Sequence, residues 1–176
     1  MKKHNLFPTT VWHEEGGISQ QLVEELYEGA YQCIKKYPSV DESSNQGGYH
    51  SPRFEWKDFH PQGIEIINKV VYKAIEQDFN VKSWWYNISG KGGWNMPHSH
   101  AGRGIDLALI LYLTETDDLL TFVNNHPTLD DPMGYSPHTK KGDILIFPAE
   151  LMHFVKQNER EEDRISISMN LRLCGN

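Results

Sequence analysis

The sequence predicts an α+β fold, in which two helices come first and a sandwich or barrel of strands follows. Two observations lead to this prediction. The first half contains two stretches with apolar residues at helical spacing, and from Val81 onward short β-rich runs alternate with period two. We expect one domain over residues 1–176, with residues 1–80 as mainly helical support and residues 81–176 as the β core.

The first predicted helix spans about residues 18–36, with Ser19 as its N-cap and Pro38 just beyond its end. Residues 37–51 are rich in Asp, Ser, Asn and Gly, which predicts a loop. Pro61 is well placed to open the second helix, because proline lacks the N–H that a first helical turn leaves unbonded. Apolar residues then recur at helical spacing, and we expect this helix to end near residues 79–80.

Six strands are predicted in the second half: residues 82–89, 105–113, 119–123, 143–147, 154–157 and 164–173. The last of these alternates strictly, with apolar side chains at the odd positions and polar ones at the even positions. Its polar side either faces water or lines the interior of a barrel that holds a charged ligand. The second arrangement needs an anion beside Arg164, since an unpaired buried cation is costly.

Composition excludes several classes of partner. The 17 basic against 24 acidic residues give a net charge of −7, which argues against nonspecific binding to nucleic acid or to an anionic membrane. No apolar run is long enough to span a bilayer, and the first residues lack the apolar core of a secretory signal. The two cysteines form no disulfide framework, so we expect a reducing, cytoplasmic setting.

Three histidines form a candidate metal site. His98 and His100 lie at positions i and i+2, which share one face of a β-strand. His153 follows a later strand and would supply a third imidazole. Imidazole suits iron, copper, zinc and nickel, and three protein ligands leave part of the coordination sphere open for catalysis. The alternative is that these are surface histidines in loops.

Several sequence blocks carry a resemblance to a known family: residues 6–9, 84–88, 97–100, 142–148 with 151–153, and 163–170. The order and separation of the last two blocks are the specific part. In these residues the chain resembles the Fe(II)- and 2-oxoglutarate-dependent oxygenases, and within them a group of small oxygenases found in bacteria and phages.

The resemblance implies a double-stranded β-helix, a cupin-like jelly-roll with N-terminal helices packed on the outer face of one sheet. It implies that His98 and His153 bind Fe(II). It also implies that Arg164, with Ser166, binds the distal carboxylate of 2-oxoglutarate. Asn87 matches an amide that touches the other end of this cosubstrate. Arg164 and Ser166 share a strand face, so a guanidinium and a hydroxyl can converge on one carboxylate.

The chain departs from the wider family at His100, where an aspartate or glutamate is expected. Three hypotheses follow. His100 itself is the third ligand, or Asp106 supplies a carboxylate, or the carboxylate is absent and metal is bound without oxidation. Strand alternation favours the first. A neutral third ligand would leave the metal with one more unit of positive charge, which tightens anion binding.

The implied activity is hydroxylation of an unidentified small-molecule or peptide substrate by dioxygen, with decarboxylation of 2-oxoglutarate to succinate. Trp94, Arg103 and Tyr112 are candidate substrate contacts. One alternative is a three-histidine cupin-type dioxygenase that does not use 2-oxoglutarate, and another is a non-enzymatic, metal-dependent binding module. The oligomeric state is left open, a homodimer included.

Overall fold

The computed structural model describes residues 9–41, 44–102, 104–116, 118–124 and 133–175. Its helices are α1 (Gln20–Lys36), α2 (Pro61–Ile75) and a short 3₁₀ helix (Trp56–Asp58). Its strands are β1 (Trp12–Glu14), β2 (Asn45–Gln46), β3 (Tyr49–His50), β4 (Phe79–Ser89), β5 (Trp94–His98), β6 (Leu107–Tyr112), β7 (Leu120–Val123), β8 (Gly134–Tyr135), β9 (Ile144–Pro148), β10 (His153–Val155) and β11 (Arg164–Leu173).

Both predicted helices are present, and their first residues were predicted well. The Ser19 hydroxyl caps α1 by accepting a hydrogen bond of 3.3 Å from the backbone N–H of Leu22, and Pro61 is the first residue of α2. The predicted end of α2 was wrong. Glu76 adopts a left-handed conformation (φ 51°) that ends the helix at Ile75. In the part of the chain that the structure describes, no helix is long and apolar enough to span a bilayer.

The strands form two antiparallel sheets, which is the predicted α+β arrangement. The six-stranded sheet has the order β1-β9-β6-β11-β4-β3, and the five-stranded sheet has the order β2-β5-β10-β7-β8. Three of these strands, β1, β2 and β3, come from the N-terminal half. The prediction that residues 37–51 form only a loop was therefore wrong, since β2 and β3 lie within them and serve as sheet edges.

The six-stranded sheet has a different core on each of its faces. On one face, odd-numbered residues of β11, such as Ile165 and Ile167, pack with α1 residues such as Leu22 and Leu26 and with α2. On the other face, Ile110 and its neighbours pack with apolar residues of the five-stranded sheet. The helices thus lie on the outer face of the larger sheet, as predicted, and the space between the sheets is left for a site.

Asp143 ties β1 to the turn that precedes β9. Its carboxylate accepts hydrogen bonds from the backbone N–H groups of Gly16 and Lys140, at 2.8 and 2.9 Å, and from Nε2 of His13 at 2.9 Å. Burial alone would raise the pKa of Asp143, but these donors outweigh it and lower the pKa below its ordinary value. The ionised carboxylate therefore stabilises this edge of the sheet.

Candidate active site

Strand pairing brings the three predicted histidines together. His98 ends β5 and lies directly opposite His153, the first residue of β10, with ring centroids 4.4 Å apart. His100 lies beyond the end of β5, and its backbone N–H donates a 2.7 Å hydrogen bond to the carbonyl of Ala149. Its ring stacks on that of His153 at 5.3 Å. One ring nitrogen from each histidine lies within 4.8 Å of the others, so small side-chain rotations would bring all three onto one ion.

Hydrogen bonds fix the tautomer of each ring. In all three, Nδ1 lies against a carbonyl oxygen: Met96 for His98 at 2.7 Å, Leu151 for His153 at 2.8 Å, and the Asn170 side chain for His100 at 2.8 Å. A carbonyl oxygen only accepts, so each Nδ1 carries the hydrogen and the lone pair of the neutral ring is on Nε2. Metal-ligating histidines are oriented in this way.

Burial favours the neutral form that a metal ligand must have. His153 is only 2% exposed, and burial lowers its pKa to about 3, with the neighbouring rings of His98 and His100 also lowering it. His98 and His100 are half-buried. His153 thus offers a neutral nitrogen donor at pH 7.

Asp106 does not join this cluster. Among the described residues, the group with metal-ligand spacing consists of His98, His100 and His153. Asp106 instead accepts a 2.8 Å hydrogen bond from the backbone N–H of Leu173 at the end of β11. Strand parity does not carry from His100 to Asp106, because Gly102 turns the chain with a φ of 92°.

The histidines open into a cavity of about 290 Å³ between the sheets. The polar face of β11 forms one wall, and four of its five side chains are buried there: Arg164, Ser166, Ser168 and Asn170. Of the two arrangements that the sequence left open for this strand, the structure has the one in which the polar face lines an interior.

Arg164 is a buried cation with no ion-pair partner among the residues that the structure describes. It is 4% exposed, its Nε has no hydrogen-bond partner, and it forms no ion pair with any described residue. Tyr112 lies nearby and opposite Ser166, and it is fully buried. Burial raises the pKa of Tyr112 to about 12, although the charge of Arg164 opposes this. A buried guanidinium is stable only with an anion, so this end of the cavity fits a carboxylate.

Asn87 also reaches the cavity. It lies on β4 opposite Ser166, and its side-chain N–H donates a 2.9 Å hydrogen bond to the Ser168 hydroxyl. This bond holds the amide against the polar face of β11.

The structure does not bring the three predicted substrate contacts together. Trp94 is 39% exposed and lines a separate shallow groove with Pro97 and Phe154. Tyr112 is buried beside Arg164 and away from the cavity surface. Arg103 lies outside the described residues.

Sequence reasoning missed several residues that line the cavity, among them His50, Arg53, Trp85 and Asn95. Trp85 is buried, and its ring stacks against the rings of His50 (5.6 Å) and His100 (6.0 Å). The guanidinium carbon of Arg53 lies 5.3 Å from the Trp85 ring. Trp85 shares strand parity with Asn87, which was a usable signal, whereas His50 and Arg53 lie in or just after a segment predicted to be a loop.

Comparison with known proteins gives a family match. Residues 83–170, half of the chain, match the model of the family described as "Putative 2OG-Fe(II) oxygenase". No curated protein matches the sequence. The matched segment runs from β4 to the Asn170 position of β11 and contains all three histidines and Arg164.

Solved structures share the fold at low sequence identity. The α-ketoglutarate-dependent epimerase SnoN of nogalamycin biosynthesis superposes with a TM-score of 0.72 at 14% identity, over 94% of this chain and 81% of SnoN. A Pseudomonas putida prolyl-4-hydroxylase superposes with a TM-score of 0.70 at 14% identity, over 94% of this chain and 93% of the hydroxylase. HygX of Streptomyces hygroscopicus, solved with nickel and 2-oxoglutarate bound, superposes with a TM-score of 0.69 at 14% identity, over 95% of this chain and 84% of HygX. These similarities confirm the predicted double-stranded β-helix.

Proposed function

The chain belongs to the 2OG-Fe(II) oxygenase family, and we propose that His98, His100 and His153 are the residues that hold its Fe(II). The protein is accordingly an oxygenase that uses Fe(II) and 2-oxoglutarate. Support for the ligand assignment comes from the three Nδ1 hydrogen bonds, which direct every Nε2 lone pair away from its carbonyl partner. Three imidazole ligands leave three positions of an octahedral ion for cosubstrate and dioxygen.

We propose that Arg164 and Ser166 bind the distal carboxylate of 2-oxoglutarate. The observation that carries this proposal is the buried guanidinium of Arg164, whose Nε has no hydrogen-bond partner among the described residues, in the same cavity as the histidine cluster. A guanidinium donates two parallel hydrogen bonds to a carboxylate, and the Ser166 hydroxyl on the same strand face adds a third.

Asn87 is proposed to position the cosubstrate rather than to react. Its amide is held by Ser168 and reaches the cavity from β4, opposite the strand that carries Arg164. It would therefore contact the end of 2-oxoglutarate opposite its distal carboxylate. Substrate would approach on the side of His98 and His100, which are the less buried members of the cluster.

When bound, Fe(II) and 2-oxoglutarate supply the oxidising chemistry, in which dioxygen and 2-oxoglutarate become succinate, carbon dioxide and one hydroxyl group on the substrate. The residues of the chain bind and orient the metal, the cosubstrate and the substrate, and they exclude water from the site. His153, Arg164 and Asn170 are each at most 4% exposed, so competing access of solvent is restricted on the inner side of the cavity.

Anaerobic titration of the Fe(II)-loaded protein with 2-oxoglutarate tests the proposal. We expect a charge-transfer absorption band that saturates with 2-oxoglutarate. Arg164→Met should lower the affinity for 2-oxoglutarate in this titration at least 100-fold, because the desolvated carboxylate loses its cationic partner. Arg172→Met is the matched control, because Arg172 lies on the same strand but is exposed and outside the cavity lining.

Two results would contradict the proposal. If Arg164→Met binds 2-oxoglutarate as the unchanged protein does, Arg164 does not bind the distal carboxylate. If the protein binds Fe(II) but gives no band at any 2-oxoglutarate concentration, the three-histidine dioxygenase without this cosubstrate becomes the better assignment.

We also infer a reducing, cytoplasmic setting. The support is the cysteine usage: Cys33 is buried in α1 and Cys174 is half-buried near the C-terminus, and both are thiols. Active protein purified under reducing conditions and inactivated by mild oxidants would agree with this inference.

A further inference from the structure

We propose that the side-chain amide of Asn95 donates a hydrogen bond to the distal carboxylate of 2-oxoglutarate, so that both sheets bind this carboxylate. The inference rests on the proposed function and adds one cosubstrate-binding residue to it. Two observations carry it. Asn95 has a buried amide that forms no hydrogen bond with any described residue, and this amide lies in the part of the cavity between the histidine cluster and Arg164.

Asn95 is a buried polar residue on β5. It is 7% exposed, it lines the cavity, and its side-chain amide is not hydrogen-bonded within the part of the chain that the structure describes. The two other buried asparagines among these residues differ. Asn158 donates to two backbone carbonyls, both at 2.9 Å, and Asn170 accepts a hydrogen bond from His100. A buried amide without a partner costs free energy, so Asn95 is suited to bind a polar group inside the cavity.

An irregularity in β5 directs Asn95 into the cavity. Residues three positions apart on a regular strand face opposite sides of the sheet. Asn95 and His98 are three positions apart, yet both line the cavity. The reason is that β5 has one residue more than β10 between the pairs that these two residues form with Val155 and His153. A polar side chain therefore reaches the inner face where a regular strand would place Met96.

The pairing register gives the distance between Asn95 and the histidine cluster along the sheet. His98 pairs with His153, and Asn95 pairs with Val155, which lies two residues further along β10. Two residues of a strand span about 7 Å. The amide is thus one row of side chains away from the two histidines, so that one small molecule can contact both the metal ion and the amide.

Asn95 lies on the side of the cluster that is nearer to Arg164. The backbone N–H of Asn158 donates a 2.9 Å hydrogen bond to the carbonyl of Gly93, just before β5, and the Asn158 side chain donates another to the carbonyl of Ser89. Ser89 is the residue of β4 that pairs with Arg164 on β11. The beginning of β5 is therefore tied to the end of the larger sheet that carries Arg164. A 2-oxoglutarate chain that extends from the metal toward Arg164 passes Asn95.

Asn95 supplies a group that the bound carboxylate can use. The Arg164 guanidinium and the Ser166 hydroxyl are the proposed donors from the larger sheet, and the two oxygens of a carboxylate accept about four hydrogen bonds. An amide N–H from the smaller sheet adds a donor without adding charge. Val155 and Leu120 continue the row of Asn95 across the smaller sheet, and both are buried and apolar. The hydrogen bond therefore forms at a low local dielectric constant, where it is stronger than in water.

Calorimetric titration of the Zn(II)-loaded protein tests the inference without turnover, because zinc has no redox chemistry. The ligands are 2-oxoglutarate and 2-oxovalerate, a keto acid of the same chain length in which a methyl group replaces the distal carboxylate. Asn95→Leu keeps the approximate shape of the side chain and removes its hydrogen bonds. We expect this variant to bind 2-oxoglutarate at least fivefold more weakly, while its affinities for 2-oxovalerate and for Zn(II) change less than twofold.

A charged variant and a control extend the test. Asn95→Asp replaces the amide with a carboxylate of the same shape. It should weaken 2-oxoglutarate at least 20-fold, because two carboxylates repel each other, and 2-oxovalerate at most fivefold. Thr121→Val is the matched control, since it removes a buried hydroxyl from the same sheet. Thr121 bonds to Ser136 and does not line the cavity, so both affinities should stay within twofold.

The proposed function and this inference fail in distinguishable ways. If the Zn(II) protein does not bind 2-oxoglutarate, or if Arg164→Met binds it as tightly as the unchanged protein, the proposed function is wrong and the inference falls with it. If Arg164→Met weakens 2-oxoglutarate but Asn95→Leu does not, only the role of Asn95 is overturned. That role is also overturned if Asn95→Leu weakens 2-oxoglutarate and 2-oxovalerate equally, since the loss would then not involve the distal carboxylate.

Discussion

His100 donates a 2.8 Å hydrogen bond from Nδ1 to the side-chain carbonyl of Asn170, a residue on the strand that also carries Arg164. The bond links the histidine cluster in one sheet to the polar face of the other. Asn170 is 2% exposed, so water does not readily replace it as the acceptor.

We predict that Asn170→Ala weakens metal binding about 10–100-fold, because His100 loses the partner that sets its tautomer and ring orientation. Asn170→Asp should retain or strengthen binding, since a carboxylate accepts the same hydrogen bond. Competitive titration with a chromogenic chelator measures the affinity. Ser168→Ala is the control, because Ser168 shares the face of β11 but bonds to Asn87. Equal affinities for Asn170→Ala and the control would exclude this role for Asn170.

His100→Ala should lower metal affinity at least 100-fold, as His98→Ala and His153→Ala should, because each removes one of three donors. His138→Ala is a matched control, since His138 is an exposed histidine bonded to Asp118 outside the cluster. Metal content after dialysis against a weak chelator provides the measurement. Retention of metal by His100→Ala, with loss by His153→Ala, would remove His100 from the ligand set.

Arg164→Met should raise the free energy of unfolding of the metal-free protein by about 1–3 kcal/mol, because it replaces an unpaired buried cation with an apolar chain. The same change should abolish stabilisation by 2-oxoglutarate. In the unchanged protein that stabilisation is about 2.7 kcal/mol at 100 times the Kd.

Urea unfolding of the two forms, with and without 2-oxoglutarate, checks both parts of this prediction. Arg164→Lys serves as the control, since it keeps the buried charge and should gain no stability without ligand. A loss of stability in metal-free Arg164→Met would mean that packing of the arginine stem outweighs the cost of its charge.

The stability of the metal-free protein should fall in acid through Asp143. Its native pKa is lower than the ordinary value of 3.8, so the ionised form is favoured by folding. This contribution is complete above pH 3.8 and is lost as the pH falls through the lower native pKa.

Asp143→Asn should remove this acid-dependent component and lower the free energy of unfolding at pH 7 by about 1–3 kcal/mol, because three hydrogen bonds lose their charged acceptor. Urea midpoints measured between pH 2.5 and 7 test it. An unchanged acid dependence in Asp143→Asn would assign the effect to other carboxylates.

The elements that were predicted accurately have strong local patterns. Strand β11 was predicted at its observed limits, because its strict alternation over ten residues reports that the two faces have different surroundings. The start of α1 was predicted because the Ser19 cap is a local signal. Strands β2 and β3 were missed because each has two residues and depends on pairing with distant partners.

Trp94, a candidate substrate contact, does not line the cavity, and the reason is specific. Counting by twos from His98 places Trp94 on the same face as the cluster. In the structure, however, His98 pairs with His153 and Asn95 pairs with Val155. Strand β5 therefore has one more residue than β10 between these two pairs, which is a β-bulge. This bulge turns Asn95 toward the cavity and Trp94 outward. A bulge has no reliable sequence signal, so residues beyond it could not be assigned to a face.

The alternation of β11 separates two tasks along one strand. Its odd-numbered side chains hold the helices to the sheet, and its even-numbered side chains from Arg164 to Asn170 line the cavity. Mutational libraries confined to Ala108 and Ile110 on neighbouring β6, which line the same cavity, can reshape selectivity while both faces of β11 are left intact. Because the two faces are separate, natural substitutions in the cavity wall can change substrate preference without weakening the core that holds the helices.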